Sequence, residues 1–542
     1  MIQRFYPLPW LMLVACLCLT TFGSAANAET ARGVVFDDRN ANSVRDAGEP
    51  GLPGVRVSNG VKIVATDDAG RYAIEIDDDA IVFVLKPRDW RTRFDAQHMP
   101  RFYYIHKPAG SPDEGYQYPG VEPTGPLPAS IDFPLIASPE PDEFTVIVMG
   151  DPQPATRQEV RFYANDVIAE LIDTDAALGL SMGDIVGDNL SLFESVNAVQ
   201  ALVGVPWYNV LGNHDINYDS PNDEYSNESF ERVYGPPNYA FQYGHVHFVV
   251  LDNVQWDGRE RKDERGRTIG GYRGAFSDGQ LEFVANYMRD VPKDERVIVC
   301  THIPLPEIDV TWDRKKHSTP QFKRLLETLS GHPHTMSFSA HSHFNHHAFA
   351  GRSEGYTAED GAEHHHHNVA TGSGSWYRGP LDEQGFPVTT MSDGAPNGYI
   401  LATFRGNEYR LRYKAARLPA EYQMAIHTPE VVASECSEQS EVVANVFNGT
   451  ERSQLRMRVR GHGDWIAMRN SRRRDPLFQA AHERDVAAAG ETRKPLPEAA
   501  TTRHIWAAPL PAGLPPGMHI LEVEATDMFG QTDLGKRILD VQ

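Results

Sequence analysis

The chain has 542 residues, a net charge of −23, 41% apolar residues and 23% charged residues. That balance supports large packed cores in two to four domains and argues against disorder. So acidic a chain gains no electrostatic help in binding nucleic acid or an anionic membrane, so any phosphate it handles must be met by local positive charge, most directly from metal ions.

Residues 1–28 read as an export signal. Arg4 gives a short positive start, Trp10 to Gly23 is nearly all apolar, and Ala26-Asn27-Ala28 offers a cleavage site before Glu29. The apolar stretch is too short for a comfortable membrane span, and no later stretch is long and apolar enough for one. The expected location is periplasmic or extracellular, with no transmembrane anchor. Leu13-Val14-Ala15-Cys16 resembles a bacterial lipobox and leaves lipidation at Cys16 as an alternative. Cys300 ends the apolar run RVIVC and reads as a buried thiol, although export would permit a disulfide with Cys436. The sequons at Asn189, Asn227 and Asn448 matter only in a eukaryotic secretory pathway.

In residues 29–137 the runs RGVVF, GVRVSNG, RYAIEI and AIVFVLK are separated by the turn-forming EPGLPG and TDDAG. Short strands at this spacing predict a small β-sandwich. Within it, DDRNANSVRDAGEPGLPGVRVSNG resembles the prealbumin-like B-type repeats of bacterial surface proteins. Asp38, Asn40, Asn42, Asp46 and Glu49 set oxygen atoms on near-alternate residues, as a calcium loop does. A polar loop of turn formers accounts for the same residues equally well. The proline-rich GVEPTGPLPASIDFPLIASPEPDE reads as a linker with a boundary near residue 138.

Residues 138–415 alternate between strand and helix patterns. The apolar runs FTVIVM, LGLSM, PWYNVL, HFVVLD, RVIVC and TMSFSA are separated by stretches with apolar residues three and four apart, such as RQEVRFYANDVIAELIDT and PQFKRLLETL. This pattern predicts an α/β layer fold. Residues 416–542 return to short strand patterns, and GMHILEVEATDMFG looks like the late strands of an immunoglobulin-like sandwich. Arg472-Arg473-Arg474 reads as a solvated loop, with phosphate binding as the lesser alternative.

The chemistry sits in the middle region, where apolar runs end in clusters of metal-ligating residues. These are Asp151 and Gln153 in GDPQ; Asp184 and Asp188 in GDIVGDN; Asn213, His214 and Asp215 in GNHD; His302 in THIP; and His341 and His343 in AHSH. Ligands of open α/β sheets bind beyond the carboxyl ends of the strands, so the clusters are expected to converge. Such a set suits two-metal hydrolysis, in which a carboxylate shared by two divalent ions holds them about 3.5–4 Å apart with room for a bridging hydroxide. His214 is placed to protonate a leaving oxygen, with Asp215 expected to orient its ring.

The five motifs, in this order, resemble those of the calcineurin-like metallophosphoesterases. The flanking regions resemble the N- and C-terminal accessory domains of one bacterial branch, and GSGSWYRGPLDEQGFPVTTMSDGAPNGYI resembles the join to the second. The resemblance implies an αββα sandwich of two facing sheets and an exported phosphoester hydrolase. It implies one metal on Asp151, Gln153, Asp184 and His343, and another on Asp184, Asn213, His302 and His341. Asp184 would be the bridge, His214 the general acid, and Asp188 and Asp215 outer supports. The implied partner is a phosphorylated small molecule, a nucleotide or a lipid; phosphomonoesterase, diesterase and pyrophosphatase activities share this core. Specificity is expected in loops such as 217–240 and 253–276.

Two positions depart from the family pattern. Gln153 stands where a histidine is usual, and its weaker amide oxygen shifts the expected metal at that site towards Mn, Mg or Fe over Zn. Ala340 replaces a glycine, which demands only a backbone conformation that alanine can adopt. Gly244-His245-Val246-His247 imitates the last motif, but it precedes THIP and reads as a hairpin turn and return strand. The histidines of EHHHHN, 364–367, read as a strand edge or loop, or alternatively as a pocket wall. Trp376 and Tyr377 fit either a substrate cleft or packing at a domain junction. A rival of another class is a surface binding protein with a lapsed catalytic centre.

Overall fold

In this computed structural model the described residues are 29–112, 115–262, 268–307, 316–489 and 494–542. The export signal, Cys16 included, lies outside them. No helix among the described residues is long and apolar enough to cross a membrane.

Between residues 143 and 415 the main elements run β1 (Glu143–Met149), α1 (Arg157–Asp166), β2 (Leu178–Ser181), α2 (Phe193–Gln200), β3 (Trp207–Asn209), α3 (Glu228–Tyr234), β4 (Tyr239–Tyr243), β5 (Val246–Val250), α4 (Asp278–Met288), β6 (Arg296–Cys300), α5 (Phe322–Leu329), β7 (Thr335–Ser339), β8 (His346–Ala350), β9 (His364–Asn368), β10 (Gly398–Arg405) and β11 (Glu408–Ala415). They form one sheet in the order β3-β2-β1-β10-β11 and another in the order β4-β5-β6-β7-β9-β8. The parallel strands β1 to β3, and β5, β6, β7 and β9, all deliver their carboxyl ends to one rim. Capping boxes start two of the helices, Thr156 with Glu159 before α1 and Ser277 with Gln280 before α4.

Alternation along β1 explains the layering. Val146 and Val148 enter the core between the sheets with Leu178, Leu180 and Phe248, whereas Ile147 and Met149 face Val160, Tyr163 and Val196 of α1 and α2. The sheets meet directly where Tyr208 stacks 3.7 Å from Phe241 and Phe248 sits edge-on to Phe404 at 6.0 Å. Helices α4 and α5 pack on each other and bury Phe283, Val284, Leu325 and Leu326.

The EHHHHN stretch is neither an edge, a loop nor a pocket wall. It forms β9, an interior strand between β7 and β8, with His364 to His367 buried. A ladder of hydroxyls on β7 makes this tolerable. Thr335 and Ser337 bond the two nitrogens of His364 at 2.9 and 2.8 Å, and Ser337 and Ser339 bond those of His366 at 2.8 and 3.0 Å. On the other face His365 and His367 stack with His347.

The N-terminal region forms two four-stranded sheets. The expected linker contributes to them. Phe133–Ala137 pairs in parallel with Glu29–Asp37, because its apolar alternation outweighs Pro134, which needs no donor at a sheet position left unpaired on its N–H side. The region docks on α3 through Lys107, whose Nζ lies 2.7 Å from Glu228, 2.9 Å from Glu231 and 3.1 Å from Asp79. Lys107 and Glu228 are only 4% and 1% exposed. Lys107→Ala would leave buried carboxylates without their cation, and a loss of about 3–5 kcal/mol is expected in urea denaturation. Lys107→Met with Glu228→Gln is expected to regain most of it; a single-variant loss below about 1 kcal/mol would contradict this account.

The C-terminal region forms a four-stranded and a five-stranded sheet around Val442, Leu455, Trp506, Leu521 and Leu539. GMHILEVEAT is the strand Gly517–Thr526, hairpin-paired with Thr532–Val541. The helix Pro476–Ala489 was not anticipated among the strand patterns. Arg473 and Arg474, expected in a loop, form a short strand against Thr501–Thr502, and Arg473 is held by Glu441 at 2.7 Å. Cys300 is a buried free thiol and Cys436 is also unpaired.

Candidate metal centre

The five motif segments meet at the rim where the parallel strands end. Of the fourteen described non-glycine residues with positive φ, eight cluster here: Asp151, Gln153, Asp184, Asp188, His341, His343, Trp376 and Tyr377. Such conformations are costly for side-chain-bearing residues and persist where the surrounding structure enforces them, often at functional sites. Gly183 has φ +91°, and a Cβ there would fall 2.4 Å from His302 Nδ1, so glycine lets the Asp184 turn press against that ring.

Asp184 stands at the centre. Its Oδ1 lies 3.2 Å from His302 Nε2 and accepts from the His214 backbone N–H at 2.9 Å, while its Oδ2 accepts from Gln153 Nε2 at 3.0 Å. Asn213 Oδ1 lies 3.1 Å from His302 Nε2. The His302 Nδ1–H donates to the Met182 carbonyl at 2.8 Å, and the His343 Nδ1–H donates to the Gly374 carbonyl at 2.6 Å. In the neutral rings both bonds put the proton on Nδ1 and reserve the Nε2 lone pair for a ligand, as metal-ligating histidines require. The Asp151 carboxylate accepts from the His341 N–H at 2.9 Å.

The residues fit divalent cations. Asp151 Oδ1, Gln153 Oε1 and His341 Nε2 are buried without a hydrogen-bond partner, an arrangement that is unfavourable unless an ion takes them. Asp184, His302 and His341 offer ligand atoms within 4.8 Å of one another. Burial pushes the Asp151 carboxyl well up and the His341 imidazolium well down. Burial also disfavours charge on Asp184, but His302 and His214 outweigh it and hold this carboxyl low. Conversely, burial would lower His302, yet Asp184 and Asp151 raise it to about 9.

Residues 144–345 match the family described as calcineurin-like phosphoesterase. Residues 39–118 match the N-terminal and residues 366–532 the C-terminal segment described for calcineurin-like phosphoesterases. The chain belongs to this family. No curated protein matches it. Among solved structures, a purple acid phosphatase from yellow lupin (Lupinus luteus) seeds is similar over 67% of each chain at 13% identity, with a TM-score of 0.36, too slight a likeness to bear on function.

In this phosphoesterase the two acidic supports occupy different places from those expected. Asp188, not Asp215, holds the His214 ring, with Oδ1 2.6 Å from Nδ1. Asp215 instead accepts from the backbone N–H groups of Ile185, Val186 and Gly212 at 3.1, 3.1 and 2.9 Å, tying the 184–188 and 212–215 loops together. These N–H groups occupy both of its oxygens, and the His214 Nδ1 is taken by Asp188. Burial lifts the Asp215 carboxyl to about 7.

His245 and His247 stay in the β4–β5 hairpin, where His247 bonds Glu295 at 2.5 Å and Tyr287 at 2.9 Å, on elements other than the motif loops. Ala340 is buried and keeps a negative φ. In the N-terminal loop the oxygens are already engaged. Asp38 accepts from the Asn42 and Ser43 N–H groups, Glu49 from those of Arg39 and Asp46, and Asp46 from the amides of Asn40 and Asn42. A hydrogen-bonded polar loop accounts for these contacts.

Several neighbours were not singled out from sequence. Buried Asn253 accepts from the His302 and Ile303 N–H groups and fixes the THIP turn. His317 lies 4.7 Å from His341, and Tyr272 meets the same ring edge-on at 5.8 Å. Of the aromatic pair at the domain join, Trp376 stacks 4.2 Å from His343, whereas Tyr377 donates to the Pro152 carbonyl and packs on Phe162.

Proposed function

We propose that this phosphoesterase is an exported, two-metal hydrolase of phosphoesters, with Asp184 shared between the metals. The observation that carries the reading is the division of the Asp184 carboxylate, one oxygen towards His302, whose Nε2 also meets Asn213, and the other towards Gln153. Asp151, Gln153, Asp184 and His343 would hold one divalent ion, and Asp184, Asn213, His302 and His341 the other. Bound there, the ions would neutralise the phosphoryl oxygens and activate a water. His214, oriented through Nδ1 by Asp188, presents Nε2 at the rim to protonate the departing oxygen. Asp215 keeps the Asp184 and Asn213 loops in register.

The test is metal-stripped protein reconstituted with Mn, Mg, Fe or Zn and assayed on paired chromogenic mono- and diesters. Activity that requires added metal is expected, with Mn, Mg or Fe exceeding Zn because Gln153 offers an amide oxygen in place of imidazole. Purification with two tightly held zinc ions per chain, and no gain from manganese, would overturn the metal preference. Folded protein inactive with every metal on both esters would count against the hydrolase reading.

A further inference from the structure

A cavity of about 470 Å³ opens beside Asp188, lined by Tyr118, Tyr218, Trp256, Tyr272, Asp219 and Arg259. It is larger than a phosphoryl group needs and within the range of small-molecule sites. Its walls touch the metal centre at two points. Tyr218 faces His214 with ring centroids 6.5 Å apart, and Tyr272 meets His341 at 5.8 Å. Asp188, which orients His214, also lines the cavity. The cavity therefore lies on the His214 side of the centre, where the leaving group departs.

The walls indicate what that group is. Tyr218 and Trp256 meet at 88° with centroids 5.1 Å apart, forming a corner in which an inserted flat ring stacks on one side chain and meets the edge of the other. The acids at the cavity are already engaged. Asp188 bonds His214, Asp219 accepts from the Gln117 N–H at 2.6 Å, and Glu260 pairs with Lys316 at 2.7 Å. Lys316 stands 4.9 Å over the Tyr272 ring, and Arg259 adds a second cation. A positively charged head group finds no unengaged carboxylate here, whereas a neutral flat heterocycle finds aromatic faces with polar groups at its edges. Tyr118 comes from the N-terminal region, so that region would help build the pocket.

We propose that the aromatic cavity receives the nucleoside of a nucleotide substrate, making Tyr118, Trp256 and Tyr272 its specificity-determining residues. The inference rests on the hydrolase reading above. In the step it implies, water forms the new P–O bond, the phosphorus–ribose oxygen bond breaks, and the nucleoside leaves with the proton from His214.

The test uses the full chain loaded with manganese. Adenosine, which carries no phosphate and is not turned over, is titrated by ligand-observed NMR. Saturable binding is expected, weakened about tenfold or more by Tyr118→Ala and by Tyr272→Ala, at half-buried positions where folding is spared. The ratio of kcat/KM for adenosine 5′-monophosphate to that for glycerol 3-phosphate is expected to exceed ten and to fall at least tenfold in both variants. No adenosine binding, saturation by choline or methyl glucoside instead, or an equal kcat/KM for the two phosphates would overturn the proposal. Adenosine binding that depends on Tyr118 and Tyr272, in protein hydrolysing no phosphoester, would sustain the pocket and count against the hydrolase reading.

Discussion

Asp184→Asn is expected to lower kcat/KM for a phosphoester by at least about 10³-fold, the scale of losing a principal stabiliser of transition-state charge. The substitution keeps the shape of the side chain and an oxygen for the His214 N–H, now 2.9 Å from Oδ1. It removes the charge that both proposed metal sites use, and it turns one oxygen into an NH₂ that cannot ligate. Metal content should therefore fall together with activity, and the rise in melting temperature on adding manganese should disappear. His247→Gln is the control, because that ring is committed to Glu295 and Tyr287 in the β4–β5 hairpin. Mass spectrometry of bound metal, melting curves and kcat/KM on one monoester would check all three points. Near-normal activity with two metals per chain in Asp184→Asn would overturn the assignment of Asp184 as the shared ligand.

The candidate ligands were legible because each sits where a periodic apolar run stops. VIVM, LSM and FSA end or extend buried strands, and Asp151, Asp184 and His341 follow within one or two residues, which places them at the rim where the parallel strands end. The exchange of roles between Asp188 and Asp215 was not legible. Both lie within four residues of a motif residue, and which of them meets His214 depends on how the 184–188 and 212–215 loops cross, something spacing does not encode. Asn253 was missed for a related reason. Its function is exercised through backbone N–H groups fifty residues away, and no residue type at that distance advertises the contact.

Elsewhere the errors follow from what local patterns measure. Phe133–Ala137 lies among prolines, so turn chemistry dominated over a strand only five residues long. In Pro476–Ala489 the alanines support a helix, but arginine, glutamate and histidine interrupt any apolar stripe. The β9 strand is the clearest case. Four histidines carry no apolar periodicity; the alternating Thr335, Ser337 and Ser339 of the neighbouring strand satisfy His364 and His366, and Tyr409 and His347 satisfy His365. Pairing across strands decided the structure of that segment.

The same strand predicts sensitivity to acid. Burial holds the imidazolium forms down, to about 3 for His364 and well below the usual histidine value for His365, His366 and His367. The folded state therefore keeps these rings neutral, whereas the unfolded chain takes up protons as the pH falls below about 6.5. Their full contribution to stability is present above that pH and is lost progressively between about 6.5 and the depressed folded values. Each ring contributes at most about 1.4 kcal/mol per pH unit over that window, so four together reach about 5 kcal/mol per unit, comparable with the whole stability of a typical domain. Urea midpoints should fall steeply from pH 6.5 to 5. His367 isolates the cause, since neither of its nitrogens has a hydrogen-bond partner and its ring stacks 3.9 Å from His347. His367→Phe keeps a stacked ring, sacrifices no hydrogen bond and cannot take up a proton. It should leave stability at pH 7.5 within about 1 kcal/mol of the parent and reduce the acid slope by about 1.4 kcal/mol per pH unit. An unchanged slope in His367→Phe would mean that the acid response does not come from this ring and would contradict the account.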